Sequence, residues 1–463
     1  MRVYNTLGRK IEEFTPINDK EVKIYCCGPT VYDFPHIGNL RAFIFYDIIR
    51  RTLLYNGFRV KQIMNITDVD DKTIKNSKLR GMELSEYTKI YTDAFFEDLK
   101  KLNISEFEGY PRATQSIGAM ETMITGLLSK GYAYKSNDGI YYSVSKFKDY
   151  GKLSGMSLKE TKSRIQNDEY DKDSAADFAL WKTWTPDDGD VYWENDLPKG
   201  RPGWSIECSA MVFKNLGESI DIHAGGIDLI FPHHENEIAQ SEAFTGKRFV
   251  KYWLHSEHLL VNGKKMSKSL HNFYTLRDLE KLGFDVIAFR LLVLDSHYRS
   301  KINFTLDILK KYEKTLDDID ITLKSYEKLP KGNKKGHEEV ISEILNEFKK
   351  SINNDFDTHE AIKNFFMLIE LLNEDIKSGS TDNESSEAAM LAVQKMDSIL
   401  GVIDRYSVPD EVIKLAEERS KLRDSNDWAG ADLIRNKIKE KGFKVIDLFG
   451  SNYTIIKNRQ HGN

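Results

Sequence analysis

The chain has 463 residues, with 67 Lys and Arg against 72 Asp and Glu and a formal net charge of -5, so it lacks the overall basic field that binds nucleic acid indiscriminately. Hydrophobic residues at 40%, charged residues at 30%, 24 Phe and 22 Tyr describe a globular protein, and its length fits roughly two to four domains rather than one. No apolar run approaches the roughly 18 residues of a membrane helix, MRVYNTLGRKIEEF lacks the apolar stretch of a secretory signal, and three cysteines cannot make a disulfide framework; a cytoplasmic protein with free thiols and no membrane partner is the expectation.

In chain order, residues 22–66 (VKIYCCGPTVYDFPHIGNLRAFIFYDIIRRTLLYNGFRVKQIMNI) read as strand, Gly/Pro turn, amphipathic helix and second strand, a βαβ unit. Ile44, Ile48, Leu53 and Leu54 recur at helical spacing, and VKQIMNI has the apolar character of a buried parallel strand. From about 95 to 200 the pattern changes. GYAYKSNDGIYYSV reads as a hairpin and DKDSAADFALWKTWTPDDGDVYWENDLPKG is aromatic and turn-rich, which makes 95–200 an insertion between two halves of a sheet domain, 1–94 and 201–260. GESIDIHAGGIDLIF restores strand character and FPHHENEIAQSEAF follows as a helix. A loop and connecting region covers 261–305, and 306–463 has helical period, with Val340, Ile341, Ile344, Leu345, Phe348 and Ile352 as an apolar stripe. LPKGNKKG and SGSTDNESSE interrupt it, and GFKVIDLFGSNYTIIK closes it as a small strand pair. The expected fold is α/β: a Rossmann-like doubly wound parallel sheet with an inserted connective domain, then a mainly α-helical C-terminal domain. Its ligand crevice lies at the carboxyl ends of the strands.

Three stretches carry candidate chemistry. In GPTVYDFPHIGNLR, His36, Gly38 and Asn39 stand between a strand and a helix start, where free N–H groups and the positive dipole end can meet a phosphate; a helix cap with a partly buried histidine reads the same four letters as well. In NGKKMSKSLHNF, Lys265 and Lys268 flank Ser267 and can hold charge developing on a leaving pyrophosphate, although most such clusters are solvated basic loops. In FPHHENE, helical spacing of four puts His233 and Glu237 on one face, but His234 with Glu237 is nearly as close at three. An ordinary polar first turn explains the pair in isolation. Sulfur donors are limited to Cys26, Cys27 and Cys208.

The first two motifs, in this order on a βαβ start, resemble the HIGH and KMSKS signatures of class I aminoacyl-tRNA synthetases. CGPTVYDFPHIGN, NITDVDDK, DFALWK, GRPGWSIECSAM, DIHAGGIDLIFPHHENEIAQ and KKMSKSLHNF are similar to the cysteinyl branch of that family. NNDFDTHEAI and WAGADLIRNKIKEKGFKVIDL resemble its C-terminal region, so the likeness runs essentially end to end. It implies activation of L-cysteine by ATP, with magnesium, and transfer of cysteine to the terminal ribose of tRNA(Cys) by a monomer. It also implies one zinc ion on Cys27, Cys208, His233 and Glu237, with Cys26 facing the other way in its strand.

By the same resemblance His36, Asn39, Lys265 and Lys268 are catalytic, and His36, Gly38, Asn39, Lys265, Ser267 and Lys268 bind ATP. Gly28, Thr30, Thr67, Trp204 and Asp228 line the substrate pocket. By residue type alone Trp204 reads equally as core, Asp228 as a turn residue and Thr67 as a β-branched strand end. Asn39 and Ser205 stand where members of the family often have histidine, and His271 where glycine is common.

The implied zinc has a physical purpose. Cysteine and serine differ by one atom, and an apolar pocket separates near-isosteres only about a hundredfold. Translation needs roughly 5.5 to 7 kcal/mol of discrimination, which a soft cation that takes the substrate thiolate as an added ligand can supply. Two rival readings are a ligase joining cysteine to an amino sugar, which would not need the helical tail, and a non-catalytic synthetase-like RNA-binding protein, which would not need the motif residues.

Overall fold

The computed structural model describes residues 1–156, 176–267, 270, 272–332, 337–403, 406–448 and 453–459. The chain divides into two compact units, one of Met1–Lys100 with Ile104–His258 and the other of Lys101–Asn103 with Leu259–Asn463.

The first unit is built on four parallel strands, Glu21–Cys26, Arg59–Met64, Ile220–Gly226 and Val250–Ser256. Their spatial order places Glu21–Cys26 between Arg59–Met64 and Ile220–Gly226, with Val250–Ser256 on the outer edge. The chain leaves the first strand toward one side and returns on the other, and this reversal opens a crevice beyond the strand ends. Ile24, Tyr25 and Cys26 pair with Ile222, His223 and Ala224 at the reversal, so Cys27 emerges directly into it.

These strands form because their inner faces are almost wholly apolar: Val22, Ile24, Ile63, Met64, Ile222, Ala224 and Leu254 are all buried. The crossover between the first two is the Ile37–Tyr55 helix, whose Leu40, Phe43, Ile44, Ile48 and Leu53 pack inward. Leu54, by contrast, is exposed, because one step along a helix turns a side chain about 100° away from its neighbour's face.

The insertion carries its own antiparallel sheet of Ala133–Lys135, Gly139–Tyr142, Phe178–Thr183 and Gly200–Pro202. Its first two strands, Ala133–Lys135 and Gly139–Tyr142, are the hairpin read from GYAYKSNDGIYYSV. Tyr142, Leu180 and Trp181 from this sheet join Tyr25, Met211 and Trp253 in one continuous hydrophobic core, so the described part of the insertion is not a separate body.

In the second unit, strands Leu259–Val261, Lys264–Lys265 and Ile302–Phe304 form a small sheet. Helices Leu306–Tyr326, Glu338–Ile352, Thr358–Ser378 and Asn383–Leu400 follow, then Asp410–Asp424, Trp428–Glu440 and the antiparallel pair Phe443–Asp447 and Tyr453–Lys457. Ile341, Ile344, Phe348 and Ile352 are the buried stripe of the second of these helices. Val340 and Leu345 are not fully buried, since each flanks that stripe rather than lying on it. Among the described residues no helix is long and apolar enough to cross a membrane.

One buried cation ties the terminal strand pair into this unit. Arg459, almost without solvent contact, donates from Nε to Asp285 at 2.9 Å and from Nη1 to Asp317 at 3.1 Å and Asp320 at 2.8 Å. Asp285 is also the N-cap of the Val286–Leu294 helix. Removing the guanidinium leaves buried carboxylates facing one another, a change that costs about 3–5 kcal/mol. Arg459→Ala is expected to lower the thermal unfolding midpoint measured by circular dichroism, with Arg459→Lys losing less because one ion pair survives.

Candidate active site and metal centre

The Ile37–Tyr55 helix begins at a side-chain cap. His36 is its N-cap in extended conformation, and Nδ1 accepts from the N–H of Gly38 at 3.1 Å and of Asn39 at 3.2 Å. Asn39 returns the favour, its Oδ1 accepting from the His36 N–H at 3.2 Å. The sequence allowed these helix-start N–H groups either to meet a phosphate or to be capped by the histidine; two of them bond to the imidazole. Burial holds the His36 ring below its usual proton affinity, partly offset by the nearby Asp228 carboxylate. A neutral ring accepting at Nδ1 carries its proton on Nε2, so His36 offers an N–H donor rather than a full charge.

The carboxyl ends of the strands hold a hydrogen-bonded line. Gly28 N–H donates to Asn65 Oδ1 at 2.8 Å, Asn65 Nδ2 to Thr67 Oγ1 at 3.2 Å, and Thr67 Oγ1 to Glu207 Oε2 at 3.0 Å. Thr30 and Thr67 pair as a parallel bridge, so three of the substrate-pocket candidates are adjacent. Glycine is required at position 28: a Cβ there would sit 1.8 Å from the Asn65 carbonyl oxygen.

Beside it lies a buried cluster of titratable groups. Cys27 follows the first strand, Cys208 and Trp204 belong to the Trp204–Leu216 helix, and His233 and Glu237 flank the start of the Glu235–Thr245 helix. FPHHENE is not one continuous helix: Phe231 is extended, with φ -138° and ψ 131°, and both histidines sit in a wide turn before the regular helix. His233 Nε2 nevertheless stands 3.0 Å from Glu237 Oε1. The donor atoms of Cys27, Cys208, His233 and Glu237 all lie within 4.8 Å of one another, and all four residues are buried. A second set, Cys27, His223, His234 and Glu237, meets the same limit.

The two histidines of the motif have different surroundings. His233 is stacked under Trp204, ring centroids 4.1 Å apart, and its Nδ1 lies 3.3 Å from Ser205 Oγ. His234 has both nitrogens engaged, Nε2 at 3.2 Å from Cys27 Sγ and Nδ1 at 2.8 Å from His255 Nε2. His255 in turn meets Thr6 Oγ1 at 2.8 Å. His223 stacks on Trp253 and contacts Glu237 Oε2 at 2.9 Å.

Burial would raise the Glu237 pKa, but His223 and His233 outweigh it and hold the carboxyl at about 2. Burial likewise raises the Cys208 thiol, yet its contacts with Cys27 and His233 leave it lowered overall. The His233 ring, disfavoured by burial, is raised to about 10 by Cys208 and Glu237. Such a pocket, with two thiols, imidazoles and a carboxylate, fits a soft divalent cation. One further observation supports the fit: Glu237 Oε1 is buried and accepts no hydrogen bond, despite its short distance to His233.

Cys26, fully buried, belongs to neither set; its Sγ accepts from Gln62 Nε2 at 3.3 Å on the opposite side of the strand. In the second unit Lys265 is exposed on its short strand. Asn272 braces the turn after it, Oδ1 accepting from Ser267 N–H at 2.9 Å and Nδ2 donating to the Lys265 carbonyl at 3.1 Å. Lys268 and His271 lie outside the described residues. Asn65, Glu207, His223 and His255 were not singled out in the sequence. His223 and His255 alone left a trace there, as polar residues inside otherwise apolar strands.

This parallel sheet with its capped HIGN helix and strand-end pocket defines a class I aminoacyl-tRNA synthetase: residues 13–314 match the family described as the tRNA synthetases class I (C) catalytic domain. The fold is shared with Mycobacterium tuberculosis methionyl-tRNA synthetase bound to methionyl-adenylate, at TM-score 0.59 and 13% identity over 83% of this chain and 90% of that one. The chain is 45% identical to the cysteine–tRNA ligase of Chlamydia pneumoniae over 96% of each, and 44% identical to that of Brachyspira hyodysenteriae over 96% of this chain and 97% of that one. It belongs to the cysteine–tRNA ligase family.

The cap predicts a stability effect separable from catalysis. His36→Ala is expected to cost about 1 kcal/mol in urea unfolding, and His36→Asn to recover most of it, since asparagine caps helices well. Because the native ring binds its proton more weakly than the unfolded one, the cap's contribution is complete above about pH 6.5 and is lost as the pH falls below it. Unfolding of wild type and His36→Asn across that range checks the sign.

Proposed function

We propose that the chain ligates cysteine to tRNA(Cys) in two steps, with zinc held by Cys27, Cys208, His233 and Glu237 as the element that selects sulfur. The observation that carries the reading is that four-residue donor set, buried beneath Trp204 at the carboxyl end of the first strand. When bound, zinc would supply a soft Lewis acid that favours a thiolate over a hydroxyl.

The chain's own residues do the rest by position and charge. Cysteine's carboxylate attacks the α-phosphorus of ATP, which enters with magnesium, and the bond to pyrophosphate breaks; the cysteinyl group then passes from AMP to the terminal ribose. Thr67, Trp204 and Asp228 bound the amino-acid pocket, and Gly28 and Thr30 lie near the substrate and nucleotide. His36 donates from Nε2 to phosphate oxygen while its Nδ1 keeps the helix start in place. Gly38 allows close approach, Asn39 locks His36, and Lys265, Ser267 and Lys268 receive charge developing on pyrophosphate. No side-chain nucleophile is required, as is usual for transfer at phosphorus.

Among the two donor sets, His233 is favoured as ligand because its Nε2 faces Glu237 while Ser205 orients its Nδ1; His234 already bridges Cys27 and His255. A cysteine–amino sugar ligase accounts less well for the chain, because the likeness to cysteine–tRNA ligases extends through the helical C-terminal region that would engage tRNA. The three free, buried cysteines suit a reducing cytoplasm, and the chain is read as a monomer.

Cysteine-dependent exchange of labelled pyrophosphate into ATP is expected, with serine supporting less than about one part in 10⁴ of the cysteine rate. No exchange with cysteine would refute the activity. His233→Ala and Cys208→Ser are expected to lose bound zinc by elemental analysis and to raise the KM for cysteine far more than that for ATP; equal losses in both would identify a structural metal. His223→Ala is expected to retain the ion, and its loss there would assign the metal to the second donor set.

A further inference from the structure

The helix capped by His36 buries a guanidinium close to its start. Arg41 follows the helical period of Ile37, Leu40, Ile44 and Ile48, all of them buried. Burial pushes its pKa down to about 10, partly offset by the Glu257 carboxylate, so it is still a cation at neutral pH. An apolar side chain would pack on that face without the penalty of desolvating a charge. What the guanidinium gains there is a hold on backbone: Nη1 donates to the His258 carbonyl at 2.6 Å.

His258 is the last residue of the first unit, two residues beyond the end of the Val250–Ser256 strand. Its N–H donates to Glu257 Oε1 at 2.9 Å, so both of its backbone groups are engaged. The chain then enters Leu259–Val261, which pairs antiparallel with Lys264–Lys265 across a two-residue turn. Both turn residues, Asn262 at φ 51° and Gly263 at φ 74°, are left-handed, as the tightest hairpin requires if its twist is to match that of its strands. Gly263 N–H donates to Asn303 Oδ1 at 2.6 Å, and Leu259–Val261 lies parallel to Ile302–Phe304. Lys265 thus ends a short, braced hairpin, and the peptide at the foot of that hairpin is the one whose carbonyl Arg41 holds.

We propose that Arg41 is a positioning residue that fixes the point at which the chain leaves the first unit, and through it the placement of Lys265 during adenylate formation. This rests on the reading of His36 and Lys265 as partners on the triphosphate and deepens it. His36 and Arg41 belong to one helix, so the element that donates to phosphate also holds the foot of the Lys265 hairpin. Charge develops on pyrophosphate only as its bond to the α-phosphorus breaks. A misplaced Lys265 therefore lowers kcat and leaves the binding of cysteine as it was.

In cysteine-dependent pyrophosphate exchange, Arg41→Met is expected to lower kcat about 10- to 100-fold, with the KM for cysteine and the zinc content unchanged. Arg41→Lys, which keeps a donor, is expected to lose less. Lys265→Ala lowers kcat by itself, and adding Arg41→Met to it is expected to lower the rate less than about twofold further, because a residue that acts through Lys265 then has nothing to position. Losses that multiply in the double variant, or an unmoved kcat in Arg41→Met, would overturn the proposal. So would a raised KM for cysteine together with lost zinc, which would mark Arg41 as a general support of the pocket. Should Arg41→Met fail to fold, Arg41→Lys in the same two backgrounds gives the same comparison on a smaller scale. Wild type without cysteine-dependent exchange would remove the substrate reading, and this inference with it, a result distinct from any failure of the variants.

Discussion

Glu237 holds a negative charge at a point with no solvent access, between the imidazoles of His223 and His233. Much of the first unit serves to make that tolerable. His223 comes from the third strand of the parallel sheet and is braced by Trp253 from the fourth, while Cys27 arrives from the first and Cys208 from a helix that the insertion leads into. A carboxylate alone in such a place would take a proton. It remains an anion because His223, from the third strand, and His233, from the turn before its own helix, lie beside it, and that convergence requires the strand and the turn to be in place together.

The same convergence explains why the insertion is not a loose appendage. Its sheet ends at Gly200–Pro202, immediately before the helix whose first residues are Trp204, Ser205, Glu207 and Cys208. Arg201 anchors that strand end, donating from Nε to the buried Asp188 at 2.7 Å and pairing with Asp71 on a neighbouring helix. Trp181 and Tyr142 lock the insertion's sheet into the core shared with Trp253. Residues of the cluster are therefore oriented by packing made far along the chain, and small shifts there are resisted by a large, continuous core rather than by local bonds alone.

Much of the architecture was legible in the sequence because it depends on period. The βαβ start, the hairpin at 133–142, the strand at 220–226 and the terminal strand pair all follow from apolar alternation or helical spacing bounded by glycine and proline. What period does not carry is the identity of neighbours across the fold. His233 and His234 are indistinguishable by spacing from Glu237, and only the partners of their other nitrogens, Ser205 in one case and His255 in the other, separate them. Asn65 and Glu207 left no signal, since an asparagine after a strand and a glutamate in a first helical turn have ordinary explanations. HIGN was read as a phosphate site or a cap; His36 Nδ1 caps the helix, and that cap fixes where its remaining N–H sits.

Discrimination between cysteine and serine concerns one atom, yet the pocket must also handle the charges that every amino acid shares. Two groups of polar residues lie side by side in the structure. Sulfur, nitrogen and oxygen donors that suit a soft cation gather around Glu237, whereas the Gly28–Asn65–Thr67–Glu207 line contains no sulfur and ends at a buried carboxyl. The two meet in consecutive residues, Glu207 and Cys208, on one rigid helix. Neighbouring helix positions diverge by about 100°, so one rigid element sends Glu207 to Thr67 and Cys208 to the cluster of Cys27, His233 and Glu237.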